Sequence, residues 1–113
     1  MDKIFGLGTD IVDINRFKDM IYENNKEFYK KIFVESEIEY CLKFKNSEQH
    51  FAGKFAIKEA VKKSIPDTVD FLEIVTEHVN SKPIISLKIQ NTYNFLVSVS
   101  HEKNYAIAMV LVQ

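Results

Sequence analysis

Residues 51–64, FAGKFAIKEAVKKS, constrain the fold of this chain more than any other stretch. Most of these residues are good helix formers, and Pro66 supplies a stop signal just beyond them. The stretch therefore predicts a helix. At about 100° per residue, Lys54, Lys58 and Lys62 form one basic stripe along it.

A second face of the same helix carries small and charged residues together. Glu59 and Lys63 lie off the basic stripe, on the side of Ala52, Ala56 and Ala60. A carboxylate and an ammonium one turn apart, among residues too small to cover them, indicate a place that something else approaches. The plainer interpretation is a helical Glu–Lys pair that stabilises the helix by about 0.2–0.5 kcal/mol. The helix alone leaves both interpretations open.

The amino-terminal residues 4–14, IFGLGTDIVDI, predict a β-strand. Gly6 and Gly8 alternate with apolar residues, which indicates a bulge or the close approach of another backbone. Asp10 lies in the middle of this strand, where a carboxylate needs a partner if it is buried. Backbone amides at a strand bend are the simple alternative to a functional partner.

Cap residues predict two further helices between this strand and the central helix. Asp13 or Asn15 can cap a helix over residues 16–22. Ser36 and Glu39 have the spacing of a capping box, which starts a second helix.

The sequence beyond Pro66 changes to β-strand character. Four segments have the composition or alternation of strands, and the last two form a hairpin: residues 71–77, 84–89, 95–101 and 105–112. The order is therefore one strand, three helices and a run of strands. Segregated blocks of this kind predict a single α+β domain over residues 1–113, with antiparallel pairing in its carboxyl-terminal half.

Composition excludes several classes of protein. Cys41 is the only cysteine, so the chain has no internal disulfide and no thiolate zinc site, and a reducing compartment is expected. The net charge of −1 gives no global field for nucleic acid. Residues 1–4 begin no apolar run of signal-peptide length, and no window is apolar enough to span a membrane. We expect a cytoplasmic protein whose 9 Phe and 5 Tyr residues leave apolar surface for a partner or for self-association.

Phosphoryl chemistry is the most specific function that the polar residues suggest. Mg²⁺ usually takes one or two protein carboxylates and fills its remaining positions with water and substrate phosphates. Asp10 and Glu59 could supply those carboxylates, and Lys63 could offset charge that develops on a transferred phosphoryl group. The chain has no Walker A loop and no G-x-G-x-x-G motif, which disfavours nucleotide binding of those kinds.

Ser100 and His101 do not predict a nucleophilic serine. Neighbouring residues on a strand point to opposite faces of the sheet, so the two side chains cannot act as nucleophile and base. His101 lies beside Lys103 near a turn. This position suits contact with an anion, and an ordinary surface histidine is the alternative.

Three motifs together resemble those of the holo-acyl-carrier-protein synthases, which are small phosphopantetheinyl transferases. They are GLGTDIVDINRF at residues 6–17, FAGKFAIKEA at residues 51–60 followed by Lys63, and VSVSHE at residues 97–102 followed by YAIA. Their order and spacing agree along nearly the whole chain. The resemblance implies a phosphopantetheinyl transferase-like fold, a homotrimer with sites at the subunit interfaces, and a role in fatty acid biosynthesis.

The resemblance also implies a reaction and its residues. The family moves 4′-phosphopantetheine from coenzyme A to a serine of an acyl carrier protein and releases adenosine 3′,5′-bisphosphate. Asp10 and Glu59 would hold Mg²⁺, and Glu59 would help to deprotonate the serine, through a water on the metal. Lys63 would contact the phosphates and steady the leaving group.

Other matched positions would bind the two substrates. Lys54 and His101 match the family's contacts to the 3′-phosphate, with Lys54 where arginine is usual. Lys82 and Pro83 belong to an element, Ser-Lys-Pro, that is similar to a Gly-Lys-Pro element near the adenine. Arg16 begins the helix that docks the acidic carrier protein, and Lys18 follows on the same helix.

The chain departs from the family pattern at two places. Residues 64–68, SIPDT, lack the glycine-rich turn that usually follows the second motif, and the docking helix is less basic than expected. The lost glycine turn motivates an alternative function, a carrier-binding module of the same fold without turnover. A third alternative is a structural trimer with incidental carboxylates.

Overall fold

A computed structural model describes residues 3–113, so Met1 and Asp2 of the amino-terminal segment lie outside the described residues. The strands are β1 (Gly6–Asp13), β2 (Ile74–Val79), β3 (Lys82–Leu87), β4 (Phe95–His101) and β5 (Tyr105–Val112). The α-helices are α1 (Asn15–Asp19), α2 (Lys26–Lys30), α3 (Glu35–Leu42) and α4 (Ser47–Ser64). Tyr22–Asn24 and Phe71–Glu73 form short 3₁₀ helices. The predicted α+β class is confirmed.

The strands form two antiparallel sheets. The larger sheet has the order β1-β5-β4, so the first strand pairs with the last one along its whole length. The smaller sheet is the β2–β3 hairpin. Helix α4 packs on the larger sheet, chiefly on β1 and β5, and buries Ala52, Ala56 and Ala60 completely.

The backbones of β1 and α4 are in direct contact at the glycines. A Cβ atom on Gly8 would lie 1.9 Å from the carbonyl oxygen of Ala60, and one on Gly6 would lie 1.9 Å from that of Ser64. The prediction of a close backbone approach at these glycines is thus correct. The small residues of α4 suggested a place that a ligand could approach. Strand β1 fills that space instead.

Two lysines of the basic stripe, Lys54 and Lys58, are buried. Lys58 has no exposed surface, and its Nζ donates to Glu37 Oε1 at 2.6 Å. The same Nζ donates to the carbonyl oxygens of Ile32 at 2.7 Å and Phe71 at 3.0 Å. The helices before α4 and the 3₁₀ turn after it cover this face.

Glu37 replaces the predicted capping pair at the start of α3. Its Oε1 accepts the Val34 N–H at 2.8 Å, so the helix begins one residue before Ser36 and not at a Ser36–Glu39 box. Glu37 also has no exposed surface. Its position inside the core, and not the local sequence, determines that it holds the helix start.

The other differences from the predicted elements are local. Helix α2 was not predicted, and α1 ends at Asp19 because the chain enters a 3₁₀ turn. Residues 71–73 are helical rather than extended. Asn80 and Ser81 form the tight turn of the β2–β3 hairpin with φ values of 52° and 67°, a conformation suited to the twist of two antiparallel strands.

One face of the larger sheet is apolar and uncovered in the single chain. Alternate residues of β1 and β5 point away from α4, among them Leu7, Ile11, Ile107 and Met109, each about half exposed. Leu96 of β4 extends the same face opposite Leu111. A contiguous apolar face of this kind marks an interaction surface. Among residues 3–113, no helix is both long and apolar enough to cross a lipid bilayer.

Gly8→Ala tests whether the β1–α4 backbone contact holds the fold. The new Cβ would overlap a backbone oxygen that cannot move aside, so we expect a loss of at least about 3 kcal/mol in the free energy of unfolding. Urea denaturation measures it. Gly53→Ala is the matched control, because its Cβ would make an ordinary 3.5 Å contact with Val99 Cγ2 and helix propensity favours alanine by about 1 kcal/mol. Equal stability of the two variants would contradict the argument.

Candidate active site

Asp10 and Lys63 meet at the junction between β1 and α4. Lys63 Nζ donates to Asp10 Oδ1 at 3.0 Å and to the carbonyl oxygen of Thr9 at 3.0 Å. The side chain of Asp10 is 16% exposed and that of Lys63 is 54% exposed. Asp10 shares the α4-facing side of β1 with Gly8, and the absence of side chains at the glycines is what brings its carboxylate against the helix. The partner that a buried Asp10 was expected to need is therefore Lys63.

Glu59 lies on the turn of α4 that contacts β1, immediately before Ala60. Within residues 3–113, Lys63 pairs with Asp10, and Glu59 makes no ion pair and accepts no hydrogen bond. The plain Glu59–Lys63 helical pair is thus not formed. The Glu59 carboxylate is half-buried, and it has both oxygens available for a ligand or a proton.

Asp10 of β1 and Glu59 of α4 are the two carboxylates predicted to hold a metal ion. In the described part of the chain, no cluster of three or more His, Cys, Asp or Glu side chains could enclose a metal ion. Asp10 Oδ2 and the two oxygens of Glu59 are oxygen donors of the kind that a hard divalent cation prefers. Such a donor set fits an ion that completes its coordination with water and substrate phosphates, and does not fit a protein-enclosed ion.

A separate cavity of about 220 Å³ lies near the other end of α4. It has the volume of about seven water molecules. Tyr40 of α3, five residues of α4, Val99 and His101 of β4, His78 of β2 and Ser81 of the hairpin turn contribute to its wall, and the α4 residues include His50 and Lys54. No carboxylate lines this cavity among the described residues.

Lys54 is a buried cation without an anionic partner. The residue is 2% exposed, and its Nζ donates to Thr76 Oγ1 at 2.9 Å and to the Thr76 carbonyl oxygen at 3.3 Å. The Nζ also lies 4.7 Å from the centre of the Tyr40 ring. No carboxylate of residues 3–113 lies within 4 Å of it, whereas Lys58 one turn later has Glu37 at 2.6 Å. A buried charge without a counter-ion is costly, so this wall of the cavity is suited to bind an anion.

Two histidines of the cavity were not predicted from the sequence. His50 stacks on Phe44 with 3.7 Å between ring centres, and His78 stacks on Tyr40 with 4.4 Å. Burial lowers the pKa of His50, and it lowers the pKa of His78 to about 4. Both rings are therefore mainly neutral at pH 7. No local motif identifies them, because helix α4 and strand β2 approach each other only in the fold.

The remaining predicted residues lie on the surface around these two places. Lys82 and Pro83 begin β3, directly after Ser81 of the cavity wall. Arg16 and Lys18 are exposed on α1, and the Arg16 guanidinium lies 5.1 Å from the centre of the Phe55 ring.

The end of α4 does not require a glycine. Among the described residues other than glycine, Asn80 and Ser81 are the two with positive φ, so residues 64–68 keep conformations open to any side chain. Ile65 is extended directly after the helix. Cys41 is a buried core residue as predicted, and burial raises its pKa to about 12, which makes it a poor nucleophile.

The two candidate places are not adjacent within one chain. Lys54 and Lys63 are nine residues apart on α4, which corresponds to about 13 Å of helix rise. The cavity wall includes none of Asp10, Glu59 and Lys63. The structure therefore brings the predicted residues together in two groups rather than in one site.

Comparison with known proteins identifies the family. The model of the 4′-phosphopantetheinyl transferase superfamily matches residues 6–110. A holo-[acyl-carrier-protein] synthase of Geotalea daltonii is 35% identical, over 97% of this chain and 98% of the relative. One of Mycoplasma capricolum is 38% identical, over 97% and 96%.

Solved structures give the same result. A holo-(acyl-carrier-protein) synthase of Bacillus anthracis in complex with CoA (3′,5′-ADP) has a TM-score of 0.83 and 30% identity, with 96% of each chain covered. The Helicobacter pylori enzyme in complex with coenzyme A has a TM-score of 0.78 and 32% identity, with 95% of this chain and 99% of that chain covered. The chain belongs to the 4′-phosphopantetheinyl transferase superfamily and, within it, to the holo-acyl-carrier-protein synthase family.

Proposed function

We propose that this protein transfers 4′-phosphopantetheine from coenzyme A to a serine hydroxyl of an apo acyl carrier protein and releases adenosine 3′,5′-bisphosphate. The observation that carries the proposal is the contact of Lys63 with Asp10 at 3.0 Å. Lys63 lies one helical turn after Glu59, which has no partner within residues 3–113. This arrangement combines a cation for phosphate oxygens, two carboxylates and partial access to solvent. The membership of the family supports the same reaction.

The reaction requires one bond to form and one to break. The serine oxygen attacks the phosphorus that carries pantetheine, and the bond from this phosphorus to the bridging pyrophosphate oxygen breaks. The bridging oxygen leaves with adenosine 3′,5′-bisphosphate. Glu59 has free carboxylate oxygens and takes the serine proton, and Lys63 stabilises the negative charge that develops on the leaving phosphate.

Asp10 and Glu59 would hold Mg²⁺ in this proposal. Their donor set fits the ion, as described above, because Asp10 Oδ2 and both oxygens of Glu59 accept no hydrogen bond in the described part of the chain. Bound Mg²⁺ would neutralise charge on the pyrophosphate oxygens. Lys63 holds the carboxylate of Asp10 through its other oxygen, Oδ1.

The cavity at Lys54 would bind the 3′-phosphate of coenzyme A. A phosphate dianion supplies the counter-charge that the buried Lys54 ammonium lacks among its neighbours. His101 extends the cavity wall, and Lys82 and Pro83 follow Ser81 beside it, where they would contact the nucleotide. This assignment leaves Asp10, Glu59 and Lys63 for the pyrophosphate.

A homotrimer would unite the two groups of residues. In such a trimer, coenzyme A would contact both groups at once where the cavity of one copy adjoins the Asp10–Lys63 junction of the next. The apolar outer face of the larger sheet, which includes Ile11, Ile107 and Met109, supports such self-association. The single cysteine, Cys41, is a buried thiol, and it suits the reducing cytoplasm that we propose as the location.

Glu59→Gln tests the proposed chemistry. Incubation with apo acyl carrier protein, coenzyme A and Mg²⁺, followed by mass spectrometry of the carrier, measures transfer. We expect the wild type to add phosphopantetheine, and Glu59→Gln to lower the rate by at least about 100-fold because the proton acceptor is lost. Glu35→Gln is the matched control, since Glu35 is an exposed carboxylate on α3.

The outcomes separate the proposed functions. A wild type that binds several carriers without changing their mass would support the module without turnover and contradict the enzyme. A near-normal rate for Glu59→Gln would show that the roles given to Glu59 are wrong.

Met109→Glu tests the oligomer. A carboxylate in the middle of the apolar sheet face should convert the trimer to monomers, which light scattering after size-exclusion chromatography detects. Transfer should be lost with the trimer if coenzyme A spans two copies. Leu42→Glu, on an exposed part of α3, should change neither property. A wild type that is monomeric and active would refute the trimer.

Reversal of the charge at Arg16 tests the docking of the carrier. Arg16 and Lys18 are exposed on α1, so Arg16→Glu should raise the KM for an acidic carrier protein several-fold and leave the affinity for coenzyme A unchanged. Steady-state kinetics with each substrate varied in turn separate the two effects. Lys45→Glu, an exposed change of the same charge away from α1, is the control.

A further inference from the structure

One residue accepts every hydrogen bond that the Lys54 ammonium donates in the described part of the chain. Both hydrogen bonds of its Nζ go to Thr76, at 2.9 Å to Oγ1 and at 3.3 Å to the carbonyl oxygen. Thr76 is 2% exposed and lies on β2, whose hairpin partner β3 follows the turn at Ser81. Without the Thr76 hydroxyl, the ammonium would keep only the longer bond.

The Thr76 hydroxyl is itself held in one orientation. It donates to Glu37 Oε2 at 2.7 Å, and the Thr76 backbone N–H donates to the same oxygen at 2.8 Å. A carboxylate only accepts hydrogen bonds, so the hydroxyl proton must point to Glu37, and a lone pair is left for Lys54. The other carboxylate oxygen, Oε1, is fixed by Lys58 at 2.6 Å and by the Val34 N–H at 2.8 Å.

This arrangement forms a continuous buried chain from α4 to α3, through β2, and back to α4. Its order is Lys58, Glu37, Thr76 and Lys54, and every member is at most 2% exposed. Networks of this kind fix the positions of their members when each polar group has its partner. The chain ends at Lys54, which forms part of the wall of this cavity and, with Thr76, also lines a second cavity of about 310 Å³.

We infer that Thr76 is a positioning residue that aims the Lys54 ammonium into the cavity and thereby sets the preference for a ligand with a 3′-phosphate. This inference rests on the proposed function for the identity of the ligand. The Thr76 hydroxyl does not contact the anion in this scheme. Its oxygen, polarised by the hydrogen bond that the hydroxyl donates to Glu37, accepts from Lys54 Nζ and holds the ammonium in place without a carboxylate at the cavity.

Thr76→Val tests the inference with a side chain of nearly the same size. Calorimetry measures the Kd of coenzyme A and of dephospho-coenzyme A, which differ only in the 3′-phosphate, and the ratio of the two is the preference. We expect Thr76→Val to lower this preference about tenfold, the effect of one hydrogen bond to a charged group. Thr76→Ser retains the hydroxyl and should restore it.

A double-mutant cycle separates positioning from a general loss of structure. Lys54→Met removes the ammonium, so adding Thr76→Val to it should change the preference no further. Thermal melting shows that each variant is folded before the affinities are compared. An equal loss of affinity for both ligands in Thr76→Val, or an additive effect in the double variant, would overturn the inference.

The same variants distinguish this inference from the proposed function. If coenzyme A binds the wild type but Thr76→Val keeps the full preference, the inference fails and the proposed function stands. If coenzyme A does not bind the wild type, the proposed function fails, and inorganic phosphate becomes the probe. Phosphate binding must then be weaker in Thr76→Val than in Thr76→Ser, and equal binding would overturn the inference.

Discussion

The contact between the backbones of β1 and α4 determines the rest of the structure. Gly6 and Gly8 lack the side chains that would separate the strand from the carbonyl oxygens of Ser64 and Ala60. The strand therefore lies directly on the helix, and Asp10, two residues beyond Gly8, reaches Lys63. The same approach places β1 beside β5, which closes the chain by pairing its first and last strands. The proposed site for phosphoryl transfer is a consequence of how closely these two backbones pack.

Helix α4 carries two buried lysines whose surroundings differ in one respect. Lys58 has a carboxylate partner and its ammonium is satisfied within the core. Lys54 shares the same buried chain of hydrogen bonds but receives only a hydroxyl and a carbonyl oxygen, and it faces a cavity. Burial lowers the pKa of both lysines, and Glu37 opposes that effect. Lys58 thus has a structural role, and Lys54 is available to an anion.

Much of the fold could be predicted from local pattern. The strand at Gly6–Asp13, the helix over residues 51–64 and the β4–β5 hairpin have clear signals in composition and period, and all are present. Helix α2 was not predicted. The start of α3 was misplaced, because buried Glu37, and not a nearby serine, holds the beginning of that helix. Helical period showed that Lys54, Lys58 and Lys62 share a face of α4, but only the fold shows that other elements cover Lys54 and Lys58.

The sequence by itself determined the class of fold and the family resemblance, and it singled out Asp10, Glu59 and Lys63 as candidate site residues, since these depend on residue type and spacing along the chain. Only the tertiary structure decided that Lys63 pairs with Asp10 rather than with Glu59, and that Lys54 is buried against Thr76. It also joined His50 and His78 in one cavity and left the apolar sheet face uncovered. The physical reason is that contacts between residues 20 to 100 positions apart depend on which backbones can approach each other, and no local pattern records that approach.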